Sequence, residues 1–165
     1  YTLWHTLSLH DALPIYTDRT MLLFNPPPPW HTAGMSDRSG DWIGQAHRDM
    51  DAAVATARGG YFEWACFISQ QAAEKAVKAA LQKMGAEAWG HSVTQLLKAV
   101  AQRSDVPGDV TAAATVLDRF YVPARYPNGY AAGKPGDYIT QDDANDATSS
   151  AEAIIRFCDS LLAGS

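Results

Sequence analysis

The chain has 165 residues and a mass of 17.9 kDa, with 47% hydrophobic and 19% charged residues, which is room for one domain around a single core and is unlike a disordered or fibrous chain. A formal net charge of −5 and a pI near 5.4 argue against a protein that coats nucleic acid through bulk electrostatics, since that needs clustered Lys and Arg, although a local basic pocket remains open. No run of about 18 apolar residues is present, which argues against a membrane-spanning helix.

Residues 1–34 lack a useful helical or strand period, and the run "NPPPPW" forbids both helix and ladder bonding. Ser8 to Ile15, "SLHDALPI", resembles a translated sequencing adapter. Residues 1–34 are therefore expected to be a non-native or disordered leader, and residues 35–165 the folded domain. A signal peptide would need a continuous apolar stretch where His5, His10 and Asp11 stand, so a cytoplasmic protein is expected. The two cysteines, Cys66 and Cys158, lie inside apolar helical pattern without metal-type spacing and read as reduced core residues.

From Trp42 to Ala57, apolar residues recur at spacings of three and four and mark a first helix, ended by "RGG" at 58–60. A second helix runs from Tyr61 to Met84, with Gly85 as its left-handed cap. Ser92 can cap a third helix carrying Val93, Leu96, Leu97 and Val100. Asp109 can cap a fourth carrying Val110, Ala113, Ala114, Leu117 and Phe120, which Pro123 stops. Thr140 with Asp143 resembles a capping box and opens a fifth helix lined by Ala144, Ala147, Ala151, Ile154, Ile155, Cys158 and Leu162. No stretch alternates like a strand. The fold class is therefore all-α, an up-and-down bundle of about five helices.

On a wheel of about 100° per residue, the second helix has Ala65, Ala72, Ala73, Ala76, Val77, Ala79, Ala80 and Leu81 over most of its circumference, which predicts a core face. The remaining band holds Trp64, Phe67, Gln71, Glu74, Lys75, Lys78 and Gln82. It reads either as a solvated face with a Glu74–Lys78 pair or, given two large aromatics beside the charges, as a surface covered by a loop, a second subunit or a ligand.

The stretch "DRFYVPARYPNGY", Asp118 to Tyr130, gathers three tyrosines, two arginines and two prolines. Pro123 and Pro127 stiffen the backbone that presents Arg125, and a constrained guanidinium suits carboxylate or phosphate. Arg125 is expected either to pair with Glu74 across the bundle or to meet a ligand. Asp142, Asp143 and Asp146 sit at a helix start, where acids complement the macrodipole, so neither metal nor cofactor is expected.

Four blocks in order, "SQQAAEKAVKAALQKMG", "HSVTQLL" from His91, "YVPARYP" from Tyr121 and "GKPGDYITQDDANDATSSAEAIIRF" from Gly133, resemble the HEPN domain family over about Asp41 to Leu162. The resemblance implies a helical bundle that commonly dimerises and is often encoded beside a minimal nucleotidyltransferase; several branches are metal-independent ribonucleases. Those branches carry an Arg and, after four to six intervening residues, a His. Neither Arg119 nor Arg125 has a His at that distance, and Tyr130 stands where Arg125 would need one. An imidazole titrating near neutrality can exchange a proton with an RNA 2′-hydroxyl, whereas a phenol is a poor base at that pH. Of the domain's two histidines, His47 and His91, the latter is expected to make a hydrogen bond of structural purpose.

The resemblance and the residues together imply a non-catalytic dimeric module that binds a nucleotide or a partner nucleotidyltransferase through Gln71, Glu74, Lys78, Arg125, Tyr126 and Tyr130, with no catalytic residue assigned. One alternative is a metal-independent ribonuclease toxin of a toxin–antitoxin pair, acting on RNA with Tyr130 or His91 in place of the missing group. The other is a structural bundle without a ligand.

Overall fold

A computed structural model describes residues 37–164. The expected boundary between a leader and the domain lies outside the described residues. Five α-helices follow in order, α1 (Ser39–Arg58), α2 (Phe62–Lys83), α3 (Val93–Val100), α4 (Gly108–Asp118) and α5 (Gln141–Ala163), with short 3-10 turns at Pro127–Gly129 and Pro135–Asp137 and no strand among the described residues.

The helix ends follow from local chemistry. Gly60, at φ 81°, turns the chain between α1 and α2, a conformation that an L side chain resists. Gly85, at φ 67°, does the same after α2, where the Ala86 amide donates to the Leu81 carbonyl. The Ser92 hydroxyl accepts from the Gln95 amide at the start of α3. At α5 the expected capping box forms, with the Thr140 hydroxyl accepting from the Asp143 amide and the Asp143 carboxylate accepting from the Thr140 amide.

Two expectations for α4 are corrected. Pro107, not Asp109, is the residue before its first turn, and the Asp109 carboxylate accepts from the adjacent Val110 amide. The helix ends at Asp118, five residues ahead of Pro123. Pro123 has no N–H to give the Arg119 carbonyl and disfavours helical geometry at Val122, so the chain continues as tight turns. Phe120 is still buried, but from a turn.

α2 packs against all four other helices. Its alanines are why: Ala65, Ala72, Ala73, Ala76, Ala79 and Ala80 are all buried and let neighbouring backbones come close. Larger side chains fill the space around them, with Val77, Leu81, Val93, Val100, Leu117 and Ile154 fully buried, each stabilising the fold by about 1.5–3 kcal/mol relative to exposure. Among the described residues no helix is long and apolar enough to cross a membrane.

Candidate functional site

Glu74 is the buried carboxylate of α2, with 5% of its surface exposed. Burying a carboxylate costs several kcal/mol unless it is paired and hydrogen-bonded, and the sequence around it supplies both. Lys78, one turn on, donates from Nζ to Oε1 at 2.8 Å. His91, from the loop before α3, places Nδ1 3.1 Å from the same oxygen. Gln71 donates to Oε2 at 3.2 Å, while its amide also donates to Gln70 Oε1 at 2.7 Å. Gln70, fully buried, donates to the His91 carbonyl at 2.7 Å and so ties the loop to the helix. The Lys78 ammonium also lies 6.0 Å from the Trp42 ring centroid, on α1. Lys75, expected on the same band, instead bridges to Asp49 on α1 at 2.6 Å.

Arg125 is held differently. Its Nε donates to the Tyr121 carbonyl at 2.8 Å, which fixes the guanidinium plane. The guanidinium carbon lies 4.5 Å from the Phe67 and Tyr121 ring centroids and 5.0 Å from that of Tyr126. The expected Arg125–Glu74 pair does not form. Lys78 and His91 occupy Glu74 Oε1 and Gln71 donates to Oε2, and no carboxylate pairs with Arg125 among the described residues.

One ring joins the two clusters. Tyr121 stacks on the His91 imidazole with centroids 5.1 Å apart and planes 15° apart, and it also carries the Arg125 contact. Asp118 sets this meeting. Its carboxylate accepts from the Ser92 hydroxyl at 2.7 Å and from the Val93 and Thr94 amides at 2.7 and 3.1 Å, capping α3 from the end of α4. His91 directly precedes Ser92 and Tyr121 follows three residues after Asp118, so the clamp brings the imidazole and the phenol ring together. His47, on α1, is paired elsewhere, with Asp159 of α5.

The structure thus brings Gln71, Glu74, Lys78, Arg125 and Tyr126 near one another, together with Gln70 and Tyr121, which sequence reasoning left out of the site, and His91, which it named only for the ribonuclease alternative. Tyr130 goes elsewhere. Its ring stacks on Tyr138 at 4.4 Å, and partial burial, with help from the nearby Asp143 carboxylate, raises its pKa above the ordinary tyrosine value. A phenol so placed gives up its proton even less readily. Cys66 and Cys158 are buried free thiols whose pKa values are pushed up to about 12, in both cases chiefly by burial. Among the described residues no group of three or more His, Cys, Asp or Glu converges as a metal site.

This arrangement of helices is that of a known family. The HEPN domain model matches residues 39–161, and the chain belongs to the HEPN domain family. Similar solved structures include a Thermus thermophilus protein (38% identity, TM-score 0.74, covering 76% of this chain and 99% of that one). An archaeal HEPN homologue is 44% identical, with TM-score 0.65 and 74% and 96% of the two chains covered. An HEPN domain protein from Thermotoga maritima is 36% identical, with TM-score 0.62 and coverage of 74% and 98%. No curated protein matches.

Proposed function

We propose that the chain is a dimeric HEPN module that binds a nucleotide, free or within a polynucleotide, or a partner nucleotidyltransferase, and does no chemistry of its own. The observation that carries this reading is Arg125, whose guanidinium is fixed by the Tyr121 carbonyl and three rings while no carboxylate of the described residues neutralises it. Holding such a group still before the ligand arrives lowers the entropy lost on binding, and its fork suits phosphate or carboxylate. Exposed Val122 and Tyr126 in this loop supply apolar surface that a second copy would cover. Titration with adenine nucleotides tests the reading: Arg125→Ala should weaken binding more than tenfold, about 1.4 kcal/mol. Sedimentation tests the dimer, which should persist at tens of micromolar, about where weak interfaces dissociate.

One observation favours a second reading, the metal-independent ribonuclease toxin. His91 shares Tyr121 with Arg125, and its Nδ1 rests on the Glu74 carboxylate, an orientation that leaves Nε2 available to take the proton of a 2′-hydroxyl. Arg125 would then neutralise the phosphate as the 2′-oxygen attacks it and the 5′-oxygen leaves. Metal-free cleavage of single-stranded RNA at about 1 per second or faster, lost in both Arg125→Ala and His91→Ala, would establish this reading against the first.

A further inference from the structure

Arg125 also lines a depression of about 130 Å³, together with Glu63, Trp64, Ala124, Lys134, Pro135 and Gly136. Three separate stretches of chain form it: the first turn of α2, the turn ending at Arg125, and the 3-10 turn Pro135–Asp137. Ala124 and Pro135 are buried and give it a firm floor. Trp64 stands at its edge, 47% exposed, with its ring braced edge-on by Phe67 at 6.2 Å between centroids. The Glu63 carboxylate lies beside Gly136, its oxygens about 3.4–3.5 Å from where a side chain would begin.

From this lining we infer that the depression takes one nucleotide of a single-stranded polynucleotide, its phosphodiester between Arg125 and Lys134 and its base on Trp64. The inference rests on the nucleotide half of the proposed function.

Charge selects the class of phosphate. Arg125 and Lys134 bring two positive charges and Glu63 one negative, and Lys134 is partly claimed by Asp137, whose carboxylate accepts from both its ammonium and its amide. The lining therefore carries at most one net positive charge, which suits the single charge of a diester better than the several charges of a free nucleoside triphosphate. Glu63 separates a nucleotide from an acidic peptide. A nucleotide presents hydroxyl and amino donors beside its phosphate for that carboxylate to accept, whereas an acidic side chain brings only more negative charge. The exposed indole is the platform that a base uses without regard to its identity.

Fluorescence anisotropy of a labelled short single-stranded oligoadenylate, with ATP, inorganic phosphate and a polyglutamate peptide as competitors, tests the inference. We expect Trp64→Ala to weaken oligonucleotide binding about tenfold with its salt dependence unchanged, and Trp64→Phe to retain most of the affinity. Lys134→Gln should weaken binding and lower the slope of log affinity against log salt by about 0.7, one phosphate contact on a single strand. Glu63→Gln should improve competition by ATP, which should compete poorly against the unaltered protein. If Arg125→Ala weakens binding while Trp64→Ala and Lys134→Gln do not, the depression is not the subsite and the proposed function stands. ATP or polyglutamate competing as well as unlabelled oligoadenylate also overturns the inference alone. No oligonucleotide binding, together with no Arg125-dependent binding of any nucleotide or partner, overturns both.

Discussion

Two sides of α2, a fraction of a turn apart, are built on opposite principles. The alanine face is small, apolar and fully buried, and it stabilises the fold by letting four helices approach. The other edge buries Glu74 and Gln70 and satisfies them with groups from the same helix and from the loop before α3, while Arg125 lies over Phe67 of that helix. The first side would serve any bundle. The second spends a buried carboxylate on a surface that an apolar side chain would stabilise as well, which is the pattern expected where recognition constrains the residues.

The comparison predicts a graded set of effects. Leu81→Ala, on the packed side, should cost the most, about 2–5 kcal/mol by urea unfolding, because it removes transfer energy and leaves a cavity beneath the alanines. Glu74→Ala should cost about 2 kcal/mol, less than for a fully buried pair because Lys78 and especially His91 retain access to water. The double variant Glu74→Ala, Lys78→Met should recover part of that loss; an additive or larger loss would mean that the pair is not the source of the cost. Asp118→Ala should cost about 1–2 kcal/mol through the lost α3 cap, and should also weaken ligand binding, since it frees His91 from Tyr121.

The buried thiols sharpen the packed side further. Their pKa values are raised in the folded state from 9.0 to about 12, so the folded protein holds these protons more tightly than the unfolded chain. Their contribution to stability is complete below about pH 9 and is lost as pH rises from there towards about 12. Alkaline unfolding should therefore shift upward in Cys66→Ala, Cys158→Ala if the substitutions leave the packing intact, and a thiol reagent at pH 8 should label neither cysteine until the protein unfolds.

The packed side was legible because period and residue size determine it: every alanine assigned to the core face is buried, and the Gly85 and Thr140 caps stand where the sequence puts them. The polar edge was legible only in part. Glu74, Lys78 and Arg125 announce themselves as charges in apolar surroundings. Which of the adjacent Gln70 and Gln71 turns inward depends on the His91 carbonyl, 21 residues away. Asp118 carries no signal of its own in the sequence, because the groups it caps stand at the start of a different helix. The Arg125–Glu74 pair was a fair expectation from charge alone, and it fails because Lys78 and His91 are nearer in the fold. Tyr130, close to Arg125 in sequence, is carried off by its stack with Tyr138.

Arg125→Ala has the smallest expected effect on stability, about 1 kcal/mol, the scale of a half-buried cation–π contact, and the largest on binding. Thermal unfolding and nucleotide or oligonucleotide titration of the same Arg125→Ala sample therefore test the central claim most directly. The account predicts a nearly unchanged melting temperature with affinity reduced more than tenfold. A melting temperature lowered by many degrees with affinity unchanged in the folded fraction would show that Arg125 is a brace for the aromatic cluster and that the recognition surface is elsewhere.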